Sequence, residues 1–274
     1  MFDVKIRLIS MLGLLTVIVL IALVLDYRKV FRHRRPIGIS VAIIGILVGL
    51  FLTLCAVLPE NNVFGRVFSE SETSQKVVAL TFDDGPYSPY TEQVLDVLKE
   101  YNVPATFFVV GQNVDKYPEI VQRIAREGHQ LGNHTYHHVD LLKSNPVVIG
   151  EELDHTSKAI EKASGIVPHV MRPPHGFRDP VVMEMVAKRG LTVVEWSVMS
   201  RDWTNPGVEV IVDRVVTKVK NGSIILLHDG DGIAAKASRS QSVEATRRII
   251  QTLVSKGYRF VTVDEILANM EERK

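Results

Sequence analysis

Asp83 and Asp84, adjacent in Thr81-Phe82-Asp83-Asp84-Gly85-Pro86, and the histidines of His134-Thr135-Tyr136-His137-His138, which begin fifty residues beyond Asp84, are the residues of this chain best suited to chemistry. An apolar run that ends in Asp-Asp-Gly-Pro reads as a strand stopping at a turn, since Gly and Pro punctuate the chain and Pro cannot donate to a ladder. Successive residues at a strand's lip point in different directions, so one carboxylate can ligate a metal while its neighbour stays free for proton transfer. The four-residue spacing of His134 and His138 brings two imidazoles to one side of a helical turn or tight loop, and Asp84 adds an oxygen ligand. Three protein ligands leave open positions, where a divalent ion acidifies water and polarises a carbonyl. An HxxxH pair alone is a weak signal, because histidines often sit on helix surfaces or satisfy core hydrogen bonds. Joined to the Asp-Asp-Gly-Pro turn it predicts a hydrolytic metal site. His137, between the two ligands, is expected to point away as a surface or supporting residue.

These residues need a scaffold that brings distant segments together. Strand-like runs at 77–82, 106–110, 129–133, 169–172, 191–198, 224–228 and 258–263 alternate with amphipathic segments at 91–101, 119–127, 180–189, 208–220 and 241–256. A further long helix starts after Ser144-Asn145-Pro146 and stops near Gly165. Seven strands alternating with helices predict an α/β fold with a parallel sheet, either open or closed into a barrel. In a barrel the chemistry lies at the C-terminal ends of the strands. Asp83 and Asp84 end the first strand, His134 the third, Arg172 the fourth and His228 the sixth, a rim of polar residues that packing does not explain.

The first quarter of the chain is different. Residues 8–25 and 37–58 carry no charge, and each run has about the length that a membrane-spanning helix needs. A cleaved signal peptide would have a shorter apolar stretch with small residues at the cut, whereas here a basic loop, 26–36, and a second apolar run follow. Two transmembrane helices are therefore expected in a hairpin over 1–58. The loop has five Lys or Arg within 26–35, which places it on the cytoplasmic side and both chain ends outside. Residues 1–58 hold seven of the 32 basic and two of the 31 acidic residues, so the remaining 216 are mildly acidic and nothing suggests nucleic-acid binding. Residues 59–75 are polar and read as a tether, with the folded domain over 76–274. Cys55, the single cysteine, lies in the second apolar run and excludes an intrachain disulfide.

Five motifs in order give the domain a resemblance. Thr81-Phe82-Asp83-Asp84-Gly85-Pro86, His134-Thr135-Tyr136-His137-His138, Arg172-Pro173-Pro174-His175-Gly176, Asp202-Trp203 and Leu226-Leu227-His228 resemble those of the polysaccharide deacetylase family, the NodB-homology carbohydrate esterases, over about residues 76–267. The resemblance implies a distorted (β/α) barrel and metal-dependent removal of acetyl groups from N-acetylated sugar polymers. It makes Asp83 the general base, and Asp84, His134 and His138 the ligands of zinc or a similar ion, with cobalt and nickel as alternatives. It further makes His228 the general acid, Arg172 the partner of Asp83, and Asp202 the residue that orients and charges His228. The sequence departs from the family pattern at His175, where tyrosine is usual after the paired prolines. If only its backbone N–H serves the oxyanion the exchange is harmless; if its ring shapes the groove, substrate choice shifts. Trp203 is a candidate to stack on a sugar face and Leu226 to receive the acetyl methyl, each with packing as the bland alternative. His129, His155 and His169 match no motif.

The expectation is an externally facing, membrane-anchored deacetylase of cell-wall glycan, acting on N-acetylglucosamine of peptidoglycan. Chitin or poly-N-acetylglucosamine and a formylated lipid-linked sugar are substrates for the same chemistry. A glycan-binding domain without turnover is the non-enzymatic alternative, set against the presence of Asp83, Arg172, Asp202 and His228 together.

Overall fold

The structure, a computed structural model, describes residues 7–28, 37–234 and 236–271. The chain opens with α1 (Leu8–Tyr27) and α2 (Ile37–Val57), which pack on each other as a hairpin; most of the basic loop predicted to turn between them lies outside the described residues. Both helices are long and apolar enough to cross a membrane. Gly45 lets them approach closely, since a Cβ there would collide with Val19.

The domain follows as β1 (Val77–Asp83), α3 (Tyr90–Tyr101), β2 (Thr106–Val109), α4 (Gly111–Lys116), α5 (Pro118–Arg126), β3 (Gln130–Asn133), α6 (Pro146–Ser164) and β4 (Val170–Met171). It continues with α7 (Pro180–Ala187), β5 (Thr192–Val193), β6 (Val198–Met199), α8 (Val208–Val216), β7 (Ser223–His228), α9 (Ser240–Ser255), β8 (Arg259–Val261) and α10 (Val263–Glu271). The strands are parallel in the order β5-β4-β3-β2-β1-β7-β6, with β8 sharing with β2 the edge of β1 that faces away from β7. Every residue of β1 is buried, as a parallel strand covered on both faces requires. Its even positions, Val78, Leu80 and Phe82, join the core beneath the helices, while Val77 and Ala79 face the inner cluster with Ile224 and Val261. That two-residue period carries on to Thr81 and Asp83, so the Asp83 carboxylate is delivered to the inside of the curl.

The single strand expected over 191–198 is two. β5 pairs with β4 at one edge of the sheet and β6 with β7 at the other, and only four residues separate them. Their facing ends are therefore at most about 18 Å apart. The sheet curls until its edges meet across this crossing segment, giving a distorted, incompletely closed (β/α) barrel. The helices α4 and α10 are additional to the expected set.

The segment expected to be a tether is instead laid against the barrel. Phe68 bridges to Val194 and Glu70 to Ser223, and Val67 and Ser71 are buried. Its polar composition left its backbone groups free to pair with strand ends, which composition alone does not reveal. Helix boundaries follow local chemistry. Asn145 accepts from Val148 N at the start of α6, Pro146 takes the first position, and Gly165 at φ 75° ends the helix.

Candidate active site

Arg172, the residue after β4, is fully buried and has its whole guanidinium placed. Nε donates to Val194 O at 3.0 Å and Nη2 to Glu195 O at 3.0 Å, while Nη1 donates to Thr81 Oγ1 at 2.8 Å and Asp83 Oδ1 at 2.7 Å. The plane lies over the Phe108 ring, 4.1 Å from its centroid. Asp83 is thus held by one oxygen. Its Oδ2 is turned toward the histidine pair, 3.8 Å from His134 Nε2.

Asp84, at φ 77°, swings its carboxylate away from that of Asp83. Its Oδ1 lies 3.0 Å from His138 Nε2 and 3.4 Å from His134 Nε2, and the three donor atoms fall within 4.8 Å of one another. His134 Nδ1 sits 2.7 Å from Arg172 O; a carbonyl only accepts, so Nδ1 carries the proton and Nε2 keeps its lone pair. Burial pushes the Asp84 carboxyl up, but the surrounding histidines, His134 and His138 beside it and His228 beyond, outweigh it and hold the group well below the usual carboxylate range. One anionic oxygen and two convergent imidazoles fit zinc or a similar divalent ion. The ligand loop is a tight turn rather than a helix, with Thr135 at φ 64° and His138 at φ 54°. Asn133 Oδ1 accepts from Thr135 N, and Glu152 Oε2 accepts from Tyr136 N and His137 N. His137 points outward, half-exposed, with Nδ1 2.7 Å from Glu152 Oε1.

His228 ends β7 in register with Asp83 on β1. Its Nδ1 lies 2.9 Å from Asp202 Oδ1, and its backbone N–H donates to Asp202 Oδ2 at 2.8 Å. Asp202 is itself fully buried and receives Ser200 Oγ at 2.8 Å and Ser242 Oγ at 2.6 Å. Burial pulls the His228 imidazolium down, yet Asp202 outweighs that and raises its pKa to about 9. Nε2 is left as a proton donor.

These groups line a cleft of about 410 Å³ with His175, Trp196, Met199, Trp203, Leu226, Asp231, Gly232 and Arg239. The His175 ring is exposed, meets His138 edge-on at 5.3 Å, and stands on a backbone at φ 63°. Trp203 is half-exposed with its edge 5.0 Å from His228, whereas Leu226 is buried in the cleft wall. The structure thus gathers in one cleft every residue singled out for chemistry except Arg172 and Asp202, which lie behind it, bonded to Asp83 and His228. It adds residues the sequence gave no sign of. Asn113 on α4 donates from Nδ2 to Asp84 O at 3.0 Å and Gly232 O at 2.8 Å, joining the ligand turn to the opposite wall. Asp231 is gripped by Arg239 Nη2 at 3.1 Å. Of the unmatched histidines, His129 is buried against Phe107 and His169 pairs with Asp264 on the surface.

A curled parallel barrel with an Asp-His-His donor set flanked by a buried Asp-Arg pair and a His-Asp pair defines a hydrolase of the carbohydrate esterase type. The chain belongs to the polysaccharide deacetylase family. The family's model, described as polysaccharide deacetylase, matches residues 70–194. A peptidoglycan-N-acetylglucosamine deacetylase of Bacillus cereus is 42% identical over 205 residues, covering 74% of this chain and 93% of that protein. A chitooligosaccharide deacetylase of a Bradyrhizobium species is 42% identical over 188 residues, covering 66% and 86%. Among solved structures, a peptidoglycan N-acetylglucosamine deacetylase bound to a naphthalenyl N-oxidanyl-benzamide superposes with TM-score 0.70 at 36% identity, covering 73% of this chain and 92% of that one. A pseudoenzyme of the same esterase family from Bacillus anthracis superposes with TM-score 0.67 at 28% identity, covering 74% and 69%.

Proposed function

We propose that this chain is a membrane-anchored N-deacetylase of cell-wall glycan, facing outward and acting on N-acetylglucosamine of peptidoglycan. The observation that carries the chemistry is that Asp83, bonded to Arg172, and His228, bonded to Asp202, end adjacent strands and share one cleft with Asp84, His134 and His138. Zinc, or cobalt or nickel in its place, held by those three residues would supply Lewis-acid polarisation of the amide carbonyl and acidify water beside it. Asp83 Oδ2 takes the proton from the attacking water as oxygen bonds to the acetamide carbon. Arg172 keeps that carboxylate in one orientation throughout. The His175 turn contributes a backbone N–H toward the developing oxyanion. His228 Nε2 then gives its proton to the sugar nitrogen as the C–N bond breaks, so acetate and a free amine leave. Leu226 receives the acetyl methyl and Trp203 stacks on a sugar face.

Peptidoglycan is favoured by the name of the Bacillus cereus relative, and by an anchor that keeps the domain beside glycan at the membrane surface. Chitin oligomers are the second reading, supported by the equal identity to the Bradyrhizobium protein. The pseudoenzyme is reason to weigh a binding role, and a variant of it has restored activity. Here the base, its arginine, the acid and its aspartate are all in place. The test is acetate release by the metal-loaded chain from purified peptidoglycan, chitin oligomers and a formylated lipid-linked sugar. Release from none of them, with Asp83→Asn indistinguishable from the parent, would favour a binding domain.

A further inference from the structure

Both outer ends of the hairpin land on the loops that form the rim of the cleft. At the start of α1, Arg7 donates from Nη2 to Leu141 O at 2.7 Å and pairs through Nε with Asp179 Oδ2 at 3.1 Å, which also accepts from Leu8 N. Leu141 is three residues past His138. At the end of α2, Ala56 O accepts from Arg178 N at 3.1 Å, and Arg178 Nη2 donates to Leu58 O at 2.6 Å and Asn61 O at 2.8 Å. Arg178 is three residues past His175, and its Nη1 donates to Gly176 O at 2.9 Å. Three residues span at most about 11 Å, so His138 and His175, both cleft-lining, lie within about 11 Å of Leu141 and Arg178, the residues that touch the two hairpin ends.

The segment that could have carried the domain away is pinned as well. Phe68 N donates to Val193 O at 3.0 Å, Glu195 N to Phe68 O at 2.8 Å, and Ser71 N to Gly222 O at 2.9 Å. A free chain over 59–75 could reach as far as about 60 Å from the bilayer; this one gives no reach at all. Resting on the anchored N-deacetylase reading above, we infer that the cleft opens at the bilayer surface and takes N-acetylated glycan still attached to a lipid anchor, not strands of the mature wall.

The test uses the full chain in phospholipid vesicles beside a released form, Arg7→Ala with about 20 Gly/Ser residues inserted after Val57, a length that behaves as a flexible tether. The insert keeps residues 58–61 on Arg178, and with Arg7 replaced only Leu8 N to Asp179 and Ala56 O to Arg178 remain, of the bonds above, to hold the domain against the helices. Substrates are an N-acetylglucosamine oligomer bearing a lipid anchor in the same vesicles, the same oligomer free, and insoluble peptidoglycan. We expect the two forms to match on the free oligomer, the parent to be about tenfold slower than the released form on insoluble peptidoglycan, and the parent to prefer the anchored oligomer. Trp196 and Trp203, the only tryptophans, both line the cleft, so nitroxide-headgroup lipids should quench most of the emission in the parent and little in the released form. Equal action on insoluble peptidoglycan, or unquenched emission in the parent, overturns the inference. Inactivity toward the free oligomer overturns the N-deacetylase reading and the substrate named here, while quenching, which needs no turnover, still decides where the cleft sits.

Discussion

Arg172 holds Asp83 through a single nitrogen, Nη1 to Oδ1 at 2.7 Å, and the same nitrogen is tied to Thr81 two residues earlier on β1. The base is therefore positioned by the strand that carries it and by a guanidinium fixed at every other corner. Lysine cannot reproduce that fork. Arg172→Lys should lower kcat by about a hundredfold, the effect of a misplacement near 1 Å, with metal content unchanged. Parent-like kcat in a folded, metal-replete Arg172→Lys would remove Arg172 from the mechanism.

The paired aspartates should separate cleanly. Asp84→Asn should lose bound metal by elemental analysis. Asp83→Asn should keep the metal and lose about 10²–10⁴ in rate, the range for a missing general base.

His228 titrates at about 9, and Asp202 is what raises it. Its donor form is present below that pH and is lost as pH rises through it, so turnover should fall on an alkaline limb. Asp202→Asn removes the negative charge, and the limb should move to lower pH. A limb that stays in place would assign the alkaline loss to another group.

Glu152 is not among the residues that line the cleft, yet it receives two backbone N–H groups from the turn between His134 and His138. Glu152→Ala should weaken metal binding by about 10–100-fold, as for other residues that orient ligands from behind. Titration with a competing chelator measures it, and unchanged affinity would show that the turn holds its shape alone.

His129 is buried, and desolvation lowers its pKa to about 4 from 6.5. Between those values the unfolded chain binds the extra proton, so stability should decline as pH falls from 6.5 toward 4, by about 3 kcal/mol at the lower end. His129→Asn should flatten that part of the Tm profile.

The site was largely readable because its motifs are short and sit where strands end; the two-residue period of β1 alone puts Asp83 inside. What escaped the sequence depends on partners far away. The run 191–198 looks like one strand because alternation does not say that its first half pairs with β4 and its second with β7. The polar segment 59–75 looked free because serine and glutamate side chains suit solvent, while its backbone was what docked. No motif marks Arg178, and its acceptors lie about 120 residues earlier in the chain. Glu152 and Asn113 belong to helices whose surfaces show no motif.

Asp179 accepts from Val181 and Val182 at the head of α7 with one oxygen and from Leu8 at the head of α1 with the other. For anyone preparing a soluble form, that shared cap and its neighbour make the hairpin awkward to cut away. A chain beginning at residue 62 would strip Arg178, 1% exposed in the intact chain, of the Leu58, Pro59 and Asn61 carbonyls and leave it Gly176 O and Glu195. A workable truncation would replace Arg178 and Glu195 together with apolar side chains of similar volume, since a lone survivor of a buried pair destabilises more than the loss of both.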